Sequence, residues 1–163
     1  MLAVDTNVLV RLVVRDDADQ VRAAEEFVSK GAWVSHLVLA ETLWVFDSVF
    51  EFSREQVVLA VEMLLNHRDL TLQDADVVTA ALGHYRKRSA VGFSDCLVLE
   101  IARQAGHIPI ATFDREFAKL DDVQRLRGSR LRAVWSVVDP KLPVANVRYL
   151  QSDYAEFTST ANQ

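Results

Sequence analysis

Five short β-type runs, at 2–4, 33–35, 70–72, 108–111 and 123–126, are separated by segments that carry the helices expected of this chain. That alternation restricts the fold more than any other feature. Parallel strands cannot be joined by tight turns, so each must be followed by a crossover, usually a helix that packs back onto the sheet. The expected class is α/β: a three-layer α/β/α sandwich around a mainly parallel sheet of four or five strands. Helices are expected from Thr6 to Val14, over 16–30 with Gly31 closing it, from Leu37 to about Phe50, over 53–65, over 75–88, over 94–104 before Gly106, and briefly over 114–119. Ser53 and Gln56 read as a capping box. In such sheets ligands gather outside the carboxyl ends of the strands.

The rhythm stops near residue 127. A chain of 163 residues, half of them hydrophobic and a quarter charged, can bury a real core as one domain. Residues 1–127 are expected to be that domain. Residues 128–163, with Pro140, Pro143, Arg130, Arg132, Lys141 and Arg148, read as a C-terminal extension of unknown role, either a docking segment or non-native sequence. No apolar run approaches a bilayer span and no basic segment precedes Asp5, so neither anchor nor signal peptide is expected and the cytoplasm is the expected compartment. A single cysteine, Cys96, cannot form an internal disulfide. It reads better as a small buried hydrophobe than as a nucleophile, since no histidine partner is apparent. His36, His67, His84 and His107 show no zinc-ligand spacing.

The net charge of −5, from 18 basic and 23 acidic residues, argues against a plain nucleic-acid binder with a broad basic face. It argues less against a nuclease, because cations held in a carboxylate cluster reverse the local field where a phosphate approaches. Four acids deserve weighing on these terms. Asp5 ends the first strand, where it is either a helix cap or a site residue. Glu41 has Leu37, Val38, Trp44 and Val45 as helix-face neighbours, which predicts a buried carboxylate in need of a partner or a cation. Asp95 begins a helix, where the macrodipole favours it, yet Val98 and Leu99 point that face inward. Asp114 follows the fourth run, with Thr112 placed to position it. Four carboxylates meeting at one sheet edge would recruit a hard cation, and oxygen-only ligation suits Mg2+ or Mn2+.

Four segments then resemble the motifs of PIN domains, particularly the VapC-like toxins of bacterial toxin–antitoxin modules. They are Leu2-Ala3-Val4-Asp5-Thr6-Asn7-Val8-Leu9, Val38-Leu39-Ala40-Glu41-Thr42 with Trp44-Val45, Phe93-Ser94-Asp95-Cys96-Leu97, and Ala111-Thr112-Phe113-Asp114-Arg115. They occur in the family's order and cover roughly residues 1–127. The resemblance implies a metal site in Asp5, Glu41, Asp95 and Asp114, with Asn7 and Thr112 as polar supports. It also implies endonucleolytic hydrolysis of RNA and a cognate antitoxin. The extension from Gly128 has no counterpart in the pattern.

Substrate contacts are expected from Arg11, Arg15, Arg86, Lys87, Arg88 and Arg115, although 86–88 also suit a solvated basic helix end. Helices 37–50 and 53–65 carry more apolar area than one buried stripe requires, in Trp44, Phe46, Phe50, Val57, Val61 and Leu65. That predicts a surface for self-association as a homodimer and for capture of an antitoxin. The alternatives are a stand-alone RNA-processing nuclease and a catalytically inactive interaction domain of the same fold. A phosphatase of another α/β family fits poorly, because Asn7 stands where its second aspartate would be, and a receiver-like domain would need adjacent acids after the first strand.

Overall fold

Three parallel strands, β1 (Leu2–Ala3), β2 (Ala32–Val34) and β3 (Leu70–Leu72), form a sheet in that order, with Leu2 opposite Ala32 and Ala32 opposite Leu70. Two further strands, β4 (Ile110–Thr112) and β5 (Val123–Arg125), pair parallel to each other, Ile110 opposite Val123. The computed structural model describes residues 1–127. Between the strands run α1 (Thr6–Val14), α2 (Ala18–Val28), α3 (His36–Ser48), α4 (Arg54–Leu65), α5 (Ala75–Lys87) and α6 (Phe93–Gln104). The expected α/β/α architecture with a parallel sheet is the one found. Its strands are only two or three residues long, which is why hydrogen bonding divides them into two ladders. The extension 128–163 lies outside the described residues.

Local chemistry explains most element boundaries. Asp5 N-caps α1, its Oδ1 accepting from Val8 N at 3.1 Å, and Asp17 caps α2 through Asp19 N and Gln20 N. Ser35 caps α3, and both bonds of the Ser53–Gln56 capping box open α4. Gly31, at φ 84°, makes the turn from α2 into β2 that a side chain would strain. β4 starts two residues later than the sequence suggests because Pro109 has no N–H to give a ladder. The short helix expected over 114–119 is a single 3₁₀ turn, Phe117–Lys119.

The core joins side chains from every layer: Leu9 of α1, Val28 of α2, Val34 of β2, Leu39 and Phe46 of α3, Val61 and Leu64 of α4, Val78 of α5 and Leu99 of α6. Cys96 is fully buried among them, and burial raises its thiol pKa to about 11, so it is an inert hydrophobe. One side chain holds α4 against the far end of α5. The Arg54 guanidinium donates to the carbonyls of Tyr85, Arg88, Ser89 and Val91 and lies 3.5 Å from the centroid of the Tyr85 ring. These include carbonyls that the end of a helix leaves without partners.

Helix α3 departs from expectation. Its buried side is Leu39, Thr42, Leu43 and Phe46, whereas Leu37, Glu41 and Trp44 face water. Glu41 is therefore not the buried carboxylate its neighbours suggested. The helix is apolar nearly all round, so its sequence pattern does not reveal which side meets the core. The surface expected on α3 and α4 is corrected likewise: Phe46, Val57 and Val61 belong to the core, and the exposed apolar residues are Leu37, Trp44, Val49, Leu59 and Met63.

Candidate active site

Asp5 leaves the carboxyl end of β1 and Glu41 lies in the second turn of α3, after β2. The two parallel strands thus deliver both residues to the same edge of the sheet. The Asp5 carboxylate spends Oδ1 on the α1 cap and leaves Oδ2 without a hydrogen bond among the described residues. The next residue reaches the second acid: Thr6 Oγ1 donates to Glu41 Oε2 at 2.5 Å. This bond answers the question that burial had been expected to pose, because Glu41 is exposed and held by a hydroxyl rather than shielded from water. Sequence reasoning placed Thr6 only at the start of a helix; its position beside Asp5 was the available signal.

Asp95 and Asp114 form a second pair. Asp114 lies two residues beyond β4, and its Oδ1 accepts from Glu116 N at 2.6 Å and Phe117 N at 2.8 Å, fixing the 3₁₀ turn. Its own N–H donates to Thr112 Oγ1 at 3.0 Å, the positioning bond expected of Thr112. Asp95, half-buried in the first turn of α6, has its carboxyl pKa raised above 3.8, first by burial and then by the negative charge of Asp114, against a lowering hydrogen bond from the Gly92 backbone. The charge of Asp114 is therefore near enough to be felt at the Asp95 carboxyl. Gly92, which the sequence reading overlooked, lies against this acid: a Cβ there would stand 3.4 Å from Asp95 Oδ2, in ordinary contact.

As they stand, the acids form two pairs rather than one four-acid shell. Among the described residues no three His, Cys, Asp or Glu side chains converge closely enough to hold an ion. Like charges at an acid site push side chains apart, and a cation draws them together. The donors fit a hard divalent ion: all are oxygens, Asp5 and Asp114 each keep one oxygen outside the cap bonds, and the Asp95–Asp114 repulsion is what such an ion relieves.

The remaining residues separate by their partners. Arg11 is engaged by Asp16 and Gln20, Arg15 by Glu25, and Arg86 by Glu62. These pairs tie helices together and leave those arginines less free to meet a substrate. Arg88 and Arg115 are exposed and make no side-chain hydrogen bond or ion pair among the described residues. Asn7 is exposed in the first turn of α1, beside Asp5 in sequence, where it lines a shallow groove with Val8, Arg11 and Phe27.

Comparison with known proteins gives the family. The chain is 27% identical over 126 residues to a VapC ribonuclease of Aquifex aeolicus (strain VF5), an alignment covering 74% of this chain and 92% of that protein. No solved structure gives a significant match. The PIN domain family model matches residues 2–123, the stretch that contains both acid pairs and all five strands except the end of β5. By that match the chain belongs to the PIN domain family.

Proposed function

We propose that this protein is a metal-dependent endoribonuclease that hydrolyses RNA phosphodiester bonds and serves as the toxin of a toxin–antitoxin module. The observation that supports the reading is the placement of Asp5 directly after β1 and of Glu41 in α3 after β2, joined through the Thr6 hydroxyl, in a chain that belongs to the PIN domain family and carries Asp95 and Asp114 within reach of each other's charge. Asp5, Glu41, Asp95 and Asp114 would hold Mg2+ or Mn2+. When bound, such an ion makes water a competent nucleophile at neutral pH and offsets negative charge on the phosphate. The chain's own contribution is placement. The backbone N–H groups of Val8, Glu116 and Phe117 fix one oxygen each of Asp5 and Asp114, the Thr6 hydroxyl fixes Glu41, and Thr112 fixes the turn carrying Asp114. Arg88 and Arg115 are the arginines best placed to meet phosphates.

Residues 1–127 carry this activity in the cytoplasm, and no helix among them is long and apolar enough to cross a membrane. A cognate antitoxin and a second copy of the chain are the proposed protein partners. Leu59 and Met63, four residues apart on the exposed side of α4, supply an apolar stripe for them.

The test is cleavage of a mixture of structured RNAs and short oligonucleotides by purified protein with Mg2+ or Mn2+. Activity should stop with a chelator and be lost in Asp5→Asn, Asp95→Asn, Asp114→Asn and Glu41→Gln while each variant stays folded. Asn caps helices about as well as Asp, so a purely structural acid would survive the change. Protein that binds Mn2+ yet cuts none of the RNAs, with all four variants unaltered in metal affinity, would refute the reading.

A further inference from the structure

Beside the acids lies a cleft of about 420 Å³, walled by α3, the start of α4 and the 89–94 segment that leads into α6. Its lining runs from Ala40, next to Glu41, to Ser94, next to Asp95, and includes Gly92, whose missing Cβ would stand 3.4 Å from Asp95 Oδ2. The cleft therefore reaches Asp95 through Gly92 without any of the four acids lining it. On its wall stands Trp44, 65% exposed. That indole fills no part of the core, which takes Leu39, Leu43 and Phe46 from the same helix. Glu41, Trp44 and Asp47 follow one another at intervals of three, the spacing of neighbours on one helix face, and Trp44 and Asp47 both line the cleft. Trp44 is only about 4.5 Å along the helix axis from Glu41.

Of the other groups, Arg54 gives its donors to four carbonyls and covers one face of the Tyr85 ring. The available surface includes the Trp44 plane, the exposed Asp47 carboxylate and the hydroxyls of Ser89 and Ser94. An adjoining depression shares Ser89, Ala90 and Val91 with the cleft and carries Lys87, Arg88 and the ion pair of Lys119 with Glu116. On a chain of net charge −5, Lys87 and Arg88, which make no ion pair among the described residues, form a short basic track beside the cleft, suited to the phosphates of a strand whose base enters it.

We infer that the cleft is a base subsite for single-stranded RNA, in which a guanine next to the scissile phosphate stacks on Trp44 and donates to Asp47. This rests on the ribonuclease reading for its substrate class. Guanine is the RNA base whose Watson–Crick edge carries adjacent donors, N1–H and the N2 amine, and an ionised carboxylate has two oxygens to accept them. Sequence-tolerant stacking comes from the indole; the choice among bases comes from the carboxylate. The basic track favours RNA over a protein segment as the occupant.

The full-length protein, kept in chelator so that nothing is cut, is titrated with labelled pentanucleotides of uridine bearing guanine, inosine, adenine or uridine at the centre. The expected order places guanine tightest, with inosine weaker because it lacks the N2 amine. Trp44→Ala should weaken the guanine oligonucleotide about 5- to 150-fold, the range of base–aromatic stacking, while Trp44→Phe keeps most of the affinity. Asp47→Asn should bring guanine and inosine close together. Both positions are exposed, so the variants should melt with the wild type. Equal affinity for all four oligonucleotides, or a Trp44→Ala change within twofold, overturns the subsite. The same holds if that variant binds RNA normally but loses a cognate antitoxin. Guanine preference without cleavage in Mn2+ would uphold the subsite and sink the nuclease reading instead.

Discussion

Removing Arg54 should cost this protein a large share of its stability although the side chain touches none of the acids. Its guanidinium serves the carbonyls of Tyr85, Arg88, Ser89 and Val91, of which Tyr85 and Val91 belong to buried residues. In Arg54→Ala the carbonyls of Arg88 and Ser89 return to water at little cost, since both residues are exposed. The two inner carbonyls do not. An acceptor left without its partner costs about 1–3 kcal/mol, and water entering the partly open cleft keeps the pair near the low end, so about 3 kcal/mol is expected from them. Loss of the guanidinium over Tyr85 adds about 0.5–1 kcal/mol. The sum, about 3.5–4 kcal/mol, is a substantial fraction of the ~5–15 kcal/mol typical of a domain. Urea unfolding should show a lower midpoint with an unchanged slope. Arg54→Lys should recover only part of it, because an ammonium cannot fork among four acceptors. A loss below about 1 kcal/mol in the alanine variant, or a lysine variant equal to wild type, would show that these bonds do not hold α4 to α5.

Three other outcomes are expected. The raised carboxyl of Asp95 means that its protonated form favours the folded state: that contribution is fully present below the unfolded value of 3.8 and is lost as pH rises through the folded one. Asp95→Asn should therefore raise the melting temperature in chelator at pH 7, with the gain shrinking as the pH falls through the carboxylate range, and saturating Mn2+ should favour the wild type; an unchanged or lower melting temperature in chelator would contradict the burial and repulsion argument. Thr6→Val should lower RNA cleavage by about tenfold, the lower end of a hydrogen bond to a charged group, with Thr6→Ser close to wild type, as read by initial rates at saturating Mn2+. Ending the chain after Arg127 should leave a cooperatively folding domain, because the core cluster of the described residues, with Val123 packed on it, already joins every helix and strand layer; circular dichroism melts of the truncated protein check this.

The fold was legible because its signals are local. The Ser53–Gln56 box, Gly31 and the alternation of strand and helix each act through neighbours in sequence, and all appear where residue chemistry puts them. The positions of the acids after strands were legible for the same reason. What was hidden depends on which side of an element meets the core. α3 carries apolar residues on every side, so Glu41 looked buried when its outward neighbours were Leu37 and Trp44. Long-range polar partners were equally invisible. Nothing in the sequence links Thr6 to Glu41 across 35 positions, Arg54 to carbonyls more than 30 residues away, or Arg86 to Glu62. An arginine in a sequence is free until the fold supplies its acid, which is why Arg11, Arg15 and Arg86 looked like substrate contacts.

The two acid pairs are far apart in the chain: Asp5 and Glu41 come from its first 48 residues, through β1 and α3, and Asp95 and Asp114 from α6 and the turn after β4. A ribosome working at about 5–20 residues per second needs roughly 5–20 s to pass from the first of these acids to the last. For the stretch between Glu41 and Asp95 the nascent polypeptide can bury the side chains of α1 to α4 but owns only half of the proposed centre. The final aspartate must then clear the exit tunnel with β5 behind it before its strand can pair. The order of the residues alone thus withholds a complete set of the proposed ligands until residue 114 has been made.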